Sequence, residues 1–411
     1  MRLFLGSLAI YAVLAVSTGE YLNEPDSYAR LSAARVALDS PPFILDPWNK
    51  PVLTALAAGV LRLGGDEVVL KLVQAVLAAA ALAITAAAAR RAGARPENAF
   101  AAAALAGMAP FWVHGLVSLL TEISCALFLA AALWLWARER FALAALAVSF
   151  SFLARFEGVF FAAALAPFLL AKRSWAGLAL LPLGPLLWNL AGWKATGIGP
   201  AFLLEKQPHE VVHATSDPVR VLLFGAMLVA AAGLLVLPAL ARVRRVPGPA
   251  PAIAAVTWTG HALLWTLGLM TSNGRPRYLV PMLPALAFMA AFGMERFGRR
   301  ARVVLFAGAT IAALFVAAYR KNTWEGLREL AREPRALTDE PTIAWYNGGG
   351  EKIDGWREAP PGTAIAWDVD EGPEGAFRDI PEERLRLERT ITIPPRWPWQ
   401  WTWEGRLYRL K

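Results

Sequence analysis

Glu24 and Asp26 stand two residues apart near the start of a 411-residue chain, and Tyr28, Arg30 and Arg35 follow in what reads as an amphipathic helix. Further along come Lys50 in DPWNKP, Thr121 and Glu122 opening an apolar run, Arg155 and Glu157 in LARFEG, and Arg275, Arg277 and Tyr278 in TSNGRPRYLVP. These types suit proton transfer by a carboxylate and the holding of an anion by neighbouring cations. A different chemistry is written at HEVVH, where His209, Glu210 and His213 fit H-E-x-x-H, a helix-borne zinc pair with Glu210 as general base. Zinc also needs a third ligand, and only Glu205 or Asp217 stand close by. Pro208 and Pro218 confine the helix to about ten residues. A chance occurrence, or a loop that touches donor or acceptor, is therefore preferred to a zinc-dependent membrane metalloprotease.

The elements that carry these residues follow from composition. With 57% hydrophobic and 18% charged residues and a mean hydropathy of +0.43, the chain is too apolar for an ordinary soluble enzyme and reads as an integral membrane protein. The single cysteine, Cys125, excludes a disulfide scaffold and a Cys-based zinc or iron–sulfur site. Apolar runs near 3–18, 66–89, 98–113, 118–137, 141–154, 156–171, 175–193, 219–241, 251–271, 278–294 and 301–319 predict about eleven transmembrane helices, several of them short for a bilayer.

Basic residues at Arg90/Arg91/Arg95, Arg138/Arg140, Lys172/Arg173, Arg242/Arg244/Arg245 and Arg296/Arg299/Arg300/Arg302 fall on alternate connections, which are then cytoplasmic. The N-terminus is expected inside a cell (inner or plasma) membrane and the C-terminus outside. Residues 1–20 also resemble a cleaved signal peptide; in either case residues 19–65, 194–217 and 272–277, the turn at Arg155 and the tail share the outer face. Residues 1–319 hold 26 Lys/Arg against 15 Asp/Glu, so the formal charge of +9 belongs to inner loops and predicts no nucleic-acid partner.

Residues 320–411 are a different material. Thirty-two of these 92 residues are charged, which predicts a soluble α+β domain outside the bilayer. It opens on a helical KNTWEGLRELAREPRAL and continues through strand-like PTIAWYN, TAIAWDVD and RLERTITI to an alternating WPWQWTW. The alternation predicts a strand with one aromatic face, read as core or membrane-interface packing before sugar stacking.

Charges at the ends of spans are costly unless paired or facing a water-filled cavity, so a cluster of them on one face marks a functional cleft. Snorkelling explains one or two arginines but not an acid and a base in consecutive turns, and Glu122 lies only a few residues into a span, where an unpaired carboxylate is expensive. Asp26 or Ser27 could instead be a helix N-cap after Pro25. His114 and His261 are lone membrane histidines, expected to be satisfied by polar groups of neighbouring helices. A passive transporter or flippase is the weaker reading, because the charges cluster on one face and no two halves match.

The order of these features resembles the polytopic GT-C glycosyltransferases, on the branch of protein O-mannosyltransferases and aminoarabinose transferases. The resemblance rests on Glu24, Asp26 and Tyr28, on PWNKP (Trp48 to Pro51), on Thr121–Glu122, on R-x-E-G (Arg155 to Gly158) and on RY-x-x-P-x-x-P (Arg277 to Pro284), and it covers roughly residues 1–320. It implies a GT-C-like helical bundle and an inverting transfer of a sugar from a polyprenyl-phosphate donor at the extracytoplasmic face. The acceptor is left open among protein, lipid and glycan, and a divalent cation is the one cofactor it leaves open. The implied catalytic base is Asp26, with Glu24 second. Lys50, Arg155, Arg275 and Arg277 are then candidates for the donor phosphate, and Tyr28, Glu122, Glu157 and Tyr278 for substrate contacts. The chain departs from the pattern in Lys50-Pro51-Val52, where relatives often carry a double proline, and in the Glu-Pro-Asp spacing of its acidic pair.

Overall fold

A computed structural model of the chain describes all residues except 23, 206–217, 268–274, 320–322, 347–352, 370–376, 378, 396–399 and 401. By contact the chain forms two compact units, one of Met1–Glu20 with Pro42–Ala318 and one of Tyr21–Pro41 with Tyr319–Lys411. The sequence leaves residues 21–41 in an outer loop of the membrane part; their contacts lie with the tail.

The first unit is built from α1 (Arg2–Thr18), α3 (Pro51–Arg62), α4 (Glu67–Arg91), α5 (Pro96–Gly107), α6 (Pro110–Val117), α7 (Glu122–Ala137), α8 (Phe141–Ala154) and α9 (Gly158–Ala171). It continues with α10 (Trp175–Leu180), α11 (Leu183–Thr196), α12 (Phe202–Glu205), α13 (Pro218–Ala232), α14 (Val236–Ala241), α15 (Ala250–Thr266), α16 (Leu283–Gly293) and α17 (Arg299–Ala318). Among the described residues five segments are long and apolar enough to cross a membrane, namely Glu67–Arg91, Trp175–Thr196, Phe224–Ala241, Pro276–Arg296 and one beginning at Arg299. The pair α5 and α6 would add a sixth if counted as one span; it bends by 59° at Pro110, which cannot supply the helical N–H and crowds the preceding turn.

Each of the eleven apolar runs holds helix, but eleven crossings are not reached on length. Helices α7, α8 and α9 have 16, 14 and 14 residues, roughly 21–24 Å at the α-helical rise against about 30 Å of hydrocarbon. The interior is set by small residues. Ala75, Ala78, Ala79, Ala81, Ala88 and Ala89 line the buried side of α4, letting α1, α5, α7 and α16 approach its backbone closely.

The buried Lys71 of α4 donates to Thr18 Oγ1 (3.0 Å) and Gly19 O (2.7 Å), placing a cation on the carbonyl end of α1. Tyr11 in α1 donates to Gly107 O at 2.9 Å and accepts from Trp112 Nε1 at 3.1 Å. The basic connections also meet: Arg95 lies 3.6 Å from Glu295, and Arg242 pairs with the same carboxylate.

The second unit contains α2 (Pro25–Asp39), α18 (Thr323–Leu330), α19 (Pro341–Tyr346) and the strands β1 (Ala364–Asp368), β2 (Leu385–Ile393) and β3 (Trp403–Leu410). The sheet is antiparallel in the order β1-β3-β2, and Leu327, Leu330, Ile343, Ile391, Trp403 and Leu407 form its core against the helices. Gly326 is required where α18 crosses Trp403, because a Cβ there would meet the indole at 1.7 Å.

The strand expected at PTIAWYN is helix α19. Pro341 takes the first turn, where no N–H is needed, and Glu340 Oε1 accepts from Thr342 N at 2.9 Å, so a local cap outweighs the β-branched pattern. The WPWQWTW strand falls mostly outside the described residues; β3 begins at its last tryptophan. The amphipathic helix expected after Asp26 is α2, whose cap is Glu24 and not Asp26 or Ser27. Glu24 is extended (φ −139°, ψ 128°), Pro25 opens the helix and Asp26 lies in the first turn.

Candidate functional site

The turn between α8 and α9 is three residues long, Arg155–Phe156–Glu157, and it brings the R-x-E-G motif across to the start of α7. Helix α8 ends with Arg155 in extended backbone (φ −159°, ψ 143°), and α9 begins at Gly158, where a Cβ would meet Ser151 Oγ at 2.5 Å and Phe152 N at 2.7 Å. No other residue lets α9 start so close to α8.

The Arg155 guanidinium, 6% exposed, sits between two carboxylates. Its Nη1 donates to Glu122 Oε1 (2.6 Å) and Thr121 Oγ1 (2.9 Å), and its Nη2 donates to Glu157 Oε1 (2.5 Å). Glu122 and Glu157 are 1% and 3% exposed, so all three ions are withdrawn from solvent. Ions so buried persist only when paired and hydrogen-bonded, as these are. Thus TE, opening α7, and R-x-E-G, 33 residues later, form one unit of structure.

The arginine–tyrosine segment joins them. Arg277 and Tyr278 lie on a 3-10 turn, Pro276–Met282, that leads into α16. The Tyr278 ring lies 4.9 Å from the Arg155 guanidinium and 5.4 Å from that of Arg277, so its π-face favours both cations. Arg277 is buried, whereas Arg275, just before the turn, is exposed.

The DPWNKP segment arrives from the other side. Asp46 Oδ1 accepts from Trp48 N (2.9 Å), Asn49 N (3.2 Å) and Asn49 Nδ2 (3.2 Å), curling the chain so that Lys50 takes a left-handed φ of 65° before α3. The Lys50 ammonium caps Pro47 O and lies 3.8 Å over the Phe156 ring. Phe156 stacks on Trp188 at 5.4 Å, and Trp188 Nε1 donates to Leu45 O at 2.7 Å, closing the circuit back to the same segment. The sequence collects Lys50, Glu122, Arg155, Glu157, Arg277 and Tyr278, and the structure brings them together in the first unit.

His261 of α15 was not among them. The expectation of a polar partner on a neighbouring helix is not met: neither ring nitrogen is hydrogen-bonded among the described residues, and the ring lies 4.9 Å from Phe160 and 6.2 Å from Tyr278. Nothing in a lone histidine within an apolar run could have signalled that proximity. Phe156 and Trp188 were likewise missed, since their role depends on a tertiary stack.

Glu24, Asp26 and Tyr28 belong to the second unit. Both carboxylates are half-exposed at the start of α2. Tyr28 is buried: its hydroxyl accepts from Leu22 N (3.1 Å) and Trp324 Nε1 (2.7 Å) and shares a 3.2 Å bond with Tyr346 Oη. Burial pushes its phenol far above the usual range, so it stays protonated. Arg35 lies 3.8 Å over the Trp345 ring and fixes the later part of α2 to α19. His209, Glu210 and His213 lie outside the described residues, among which no three His, Cys, Asp or Glu side chains gather as a metal site.

No protein-family model and no curated protein matches the sequence. Among solved structures the chain is similar to ArnT from Cupriavidus metallidurans bound to undecaprenyl phosphate, with a TM-score of 0.66 at 13% identity over 99% of this chain and 97% of that one. It is similar to the apo state of the same protein with a TM-score of 0.63 at 15% identity, over 98% and 97%. At such identities the likeness establishes that the chain shares the fold of that protein over nearly its whole length.

Proposed function

We propose that the chain is a membrane glycosyltransferase that moves a sugar from a polyprenyl-phosphate donor to an acceptor at the extracytoplasmic face, inverting the anomeric carbon. One observation carries this reading: nearly the whole chain shares its fold with a protein whose structure holds undecaprenyl phosphate. The cluster at the start of α7, α9 and the 3-10 turn supports it with the charges that a phosphate leaving group needs.

In this reading Asp26, with Glu24 as the second candidate, takes the proton from the attacking acceptor hydroxyl. The oxygen bonds to the anomeric carbon on the side opposite the phosphate, the carbon–oxygen bond to the phosphate breaks, and the lipid phosphate departs with the electron pair. Lys50, Arg275 and Arg277 stabilise the charge that grows on it. Arg155 is assigned to positioning instead of phosphate binding, because Glu122, Glu157 and Thr121 already take both terminal nitrogens. Those carboxylates orient Arg155, and the Tyr278 ring contacts both it and Arg277.

Helix direction supports this sidedness. Glu122, Arg155 and Arg277 stand at the opposite ends of α7, α8 and the α16 segment from the basic connections at Arg138, Arg140 and Arg296, which the positive-inside rule makes cytoplasmic.

The test is a thin-layer assay of purified protein against a panel of polyprenyl-phosphate sugars. Release of polyprenyl phosphate should fall roughly 10²–10⁴-fold in Asp26→Asn and stay unchanged in Glu210→Gln. Full turnover in both Asp26→Asn and Glu24→Gln would remove the carboxylate base. No release from any donor, together with peptide hydrolysis abolished by Glu210→Gln, would replace the reading with a metalloprotease.

A further inference from the structure

The second unit contains an open cavity of about 870 Å³ lined by Trp324, Glu325, Arg328, Glu329, Arg332 and Tyr346. Its volume lies within the roughly 300–1,000 Å³ of small-molecule sites. Two features narrow the kind of ligand.

The first is the aromatic pair. The Arg328 guanidinium lies 5.4 Å from the Trp324 ring and 5.4 Å from the Tyr346 ring, bracketed by both. Each ring is anchored through its polar atom to Tyr28: Trp324 Nε1 donates to Tyr28 Oη at 2.7 Å, and Tyr346 Oη lies 3.2 Å from the same oxygen. Rings tied down in this way form a pre-set platform that loses little freedom when a ligand settles on it. The second is charge. The lining holds two arginines and two glutamates, and Glu329 is bound to Arg332 (2.5 Å) and to Arg389 (3.2 Å). A balanced wall offers no net attraction to an anion or a cation, and a wall so rich in ions does not suit an apolar chain. An aromatic wall beside planar, paired donors and acceptors matches a neutral polyhydroxylated ring, whose C–H groups meet aromatic carbon and whose hydroxyls meet the guanidinium and carboxylate edges.

We propose that this cavity is a carbohydrate-binding site that seats a neutral glycan portion of the acceptor, so that the acceptor class is a glycan or a glycan-bearing molecule. The assignment rests on the transferase reading. The juxtaposition is direct: the Tyr28 hydroxyl that anchors both rings is on α2, two residues after Asp26.

The experiment uses the full chain in lipid nanodiscs without any lipid donor, so it does not depend on turnover. Saturation-transfer NMR is run with neutral disaccharides of glucose, mannose, galactose and N-acetylglucosamine, and with glucose 6-phosphate and hexanoate as charged and apolar probes. At least one neutral disaccharide should bind, and its affinity should fall tenfold or more in both Arg328→Gln and Glu325→Gln. Thermal unfolding identifies any variant that fails to fold, and the other then decides. Binding by none of the disaccharides, binding unaltered in the folded variants, or preference for glucose 6-phosphate or hexanoate would overturn the proposal. Failure of donor cleavage in the thin-layer assay, with disaccharide binding intact, would instead overturn the transferase reading and leave a glycan-binding unit.

Discussion

Two ends of the first unit hold ion pairs of the same chemical kind in opposite surroundings. At one, Arg155 joins Glu122 and Glu157 with side chains 6%, 1% and 3% exposed; at the other, Glu295, 30% exposed, meets Arg242 and the solvent-facing Arg95. The exposed set needs no justification beyond chance and sidedness, because water screens it and lets it re-form. The buried set lost its hydration on folding, and an apolar filling of equal volume would hold the helices at least as well. Holding the fold does not account for charge retained in such a place; under the proposed transfer the cluster positions the cations Lys50 and Arg277 for the donor phosphate.

The comparison can be broken from either side. The largest effect is expected from Arg155→Gln, which leaves two carboxylates buried without their cation and should cost about 3–5 kcal/mol, read as a loss of thermal stability in detergent. The triple change Arg155→Met, Glu122→Gln, Glu157→Gln should recover most of that stability while donor cleavage stays abolished; recovery of both would make the cluster mere scaffolding. An intermediate effect is expected at Lys71, whose replacement by Met removes the cation from the end of α1. It should destabilise by about 1–3 kcal/mol, since Thr18 Oγ1 and Gly19 O lose a charged donor. The smallest belongs to Glu295→Gln, about 0–1 kcal/mol and shrinking further in high salt, because the pairs it breaks are partly solvated. A larger loss there would erase the contrast.

Much of the membrane unit was legible because apolar runs and arginine punctuation are local signals. The gathering of Glu122, Arg155, Glu157 and Arg277 was legible for the same reason: each stands at a span end on one expected face, although which carboxylate would meet which cation was not. Three things could not be read. His261 lies near Tyr278 through the packing of α15, which no spacing encodes. Helix α19 looked like a strand because alternating Ile343 and Trp345 are buried in either geometry, and only the Glu340 cap decides between them. Helix α2 was read as a helix, but its grouping with the tail depends on contacts spanning 296 and 318 residues, from Tyr28 to Trp324 and to Tyr346.

That last grouping bears on how the acidic pair is governed. A single phenolic oxygen ties the segment bearing Glu24 and Asp26 to two aromatic residues encoded some three hundred positions downstream. Shortening the chain after the final apolar helix would remove both partners of that oxygen and leave α2 without this anchor. Substitutions at positions 324 and 346 therefore act on how α2 is held without touching either carboxylate.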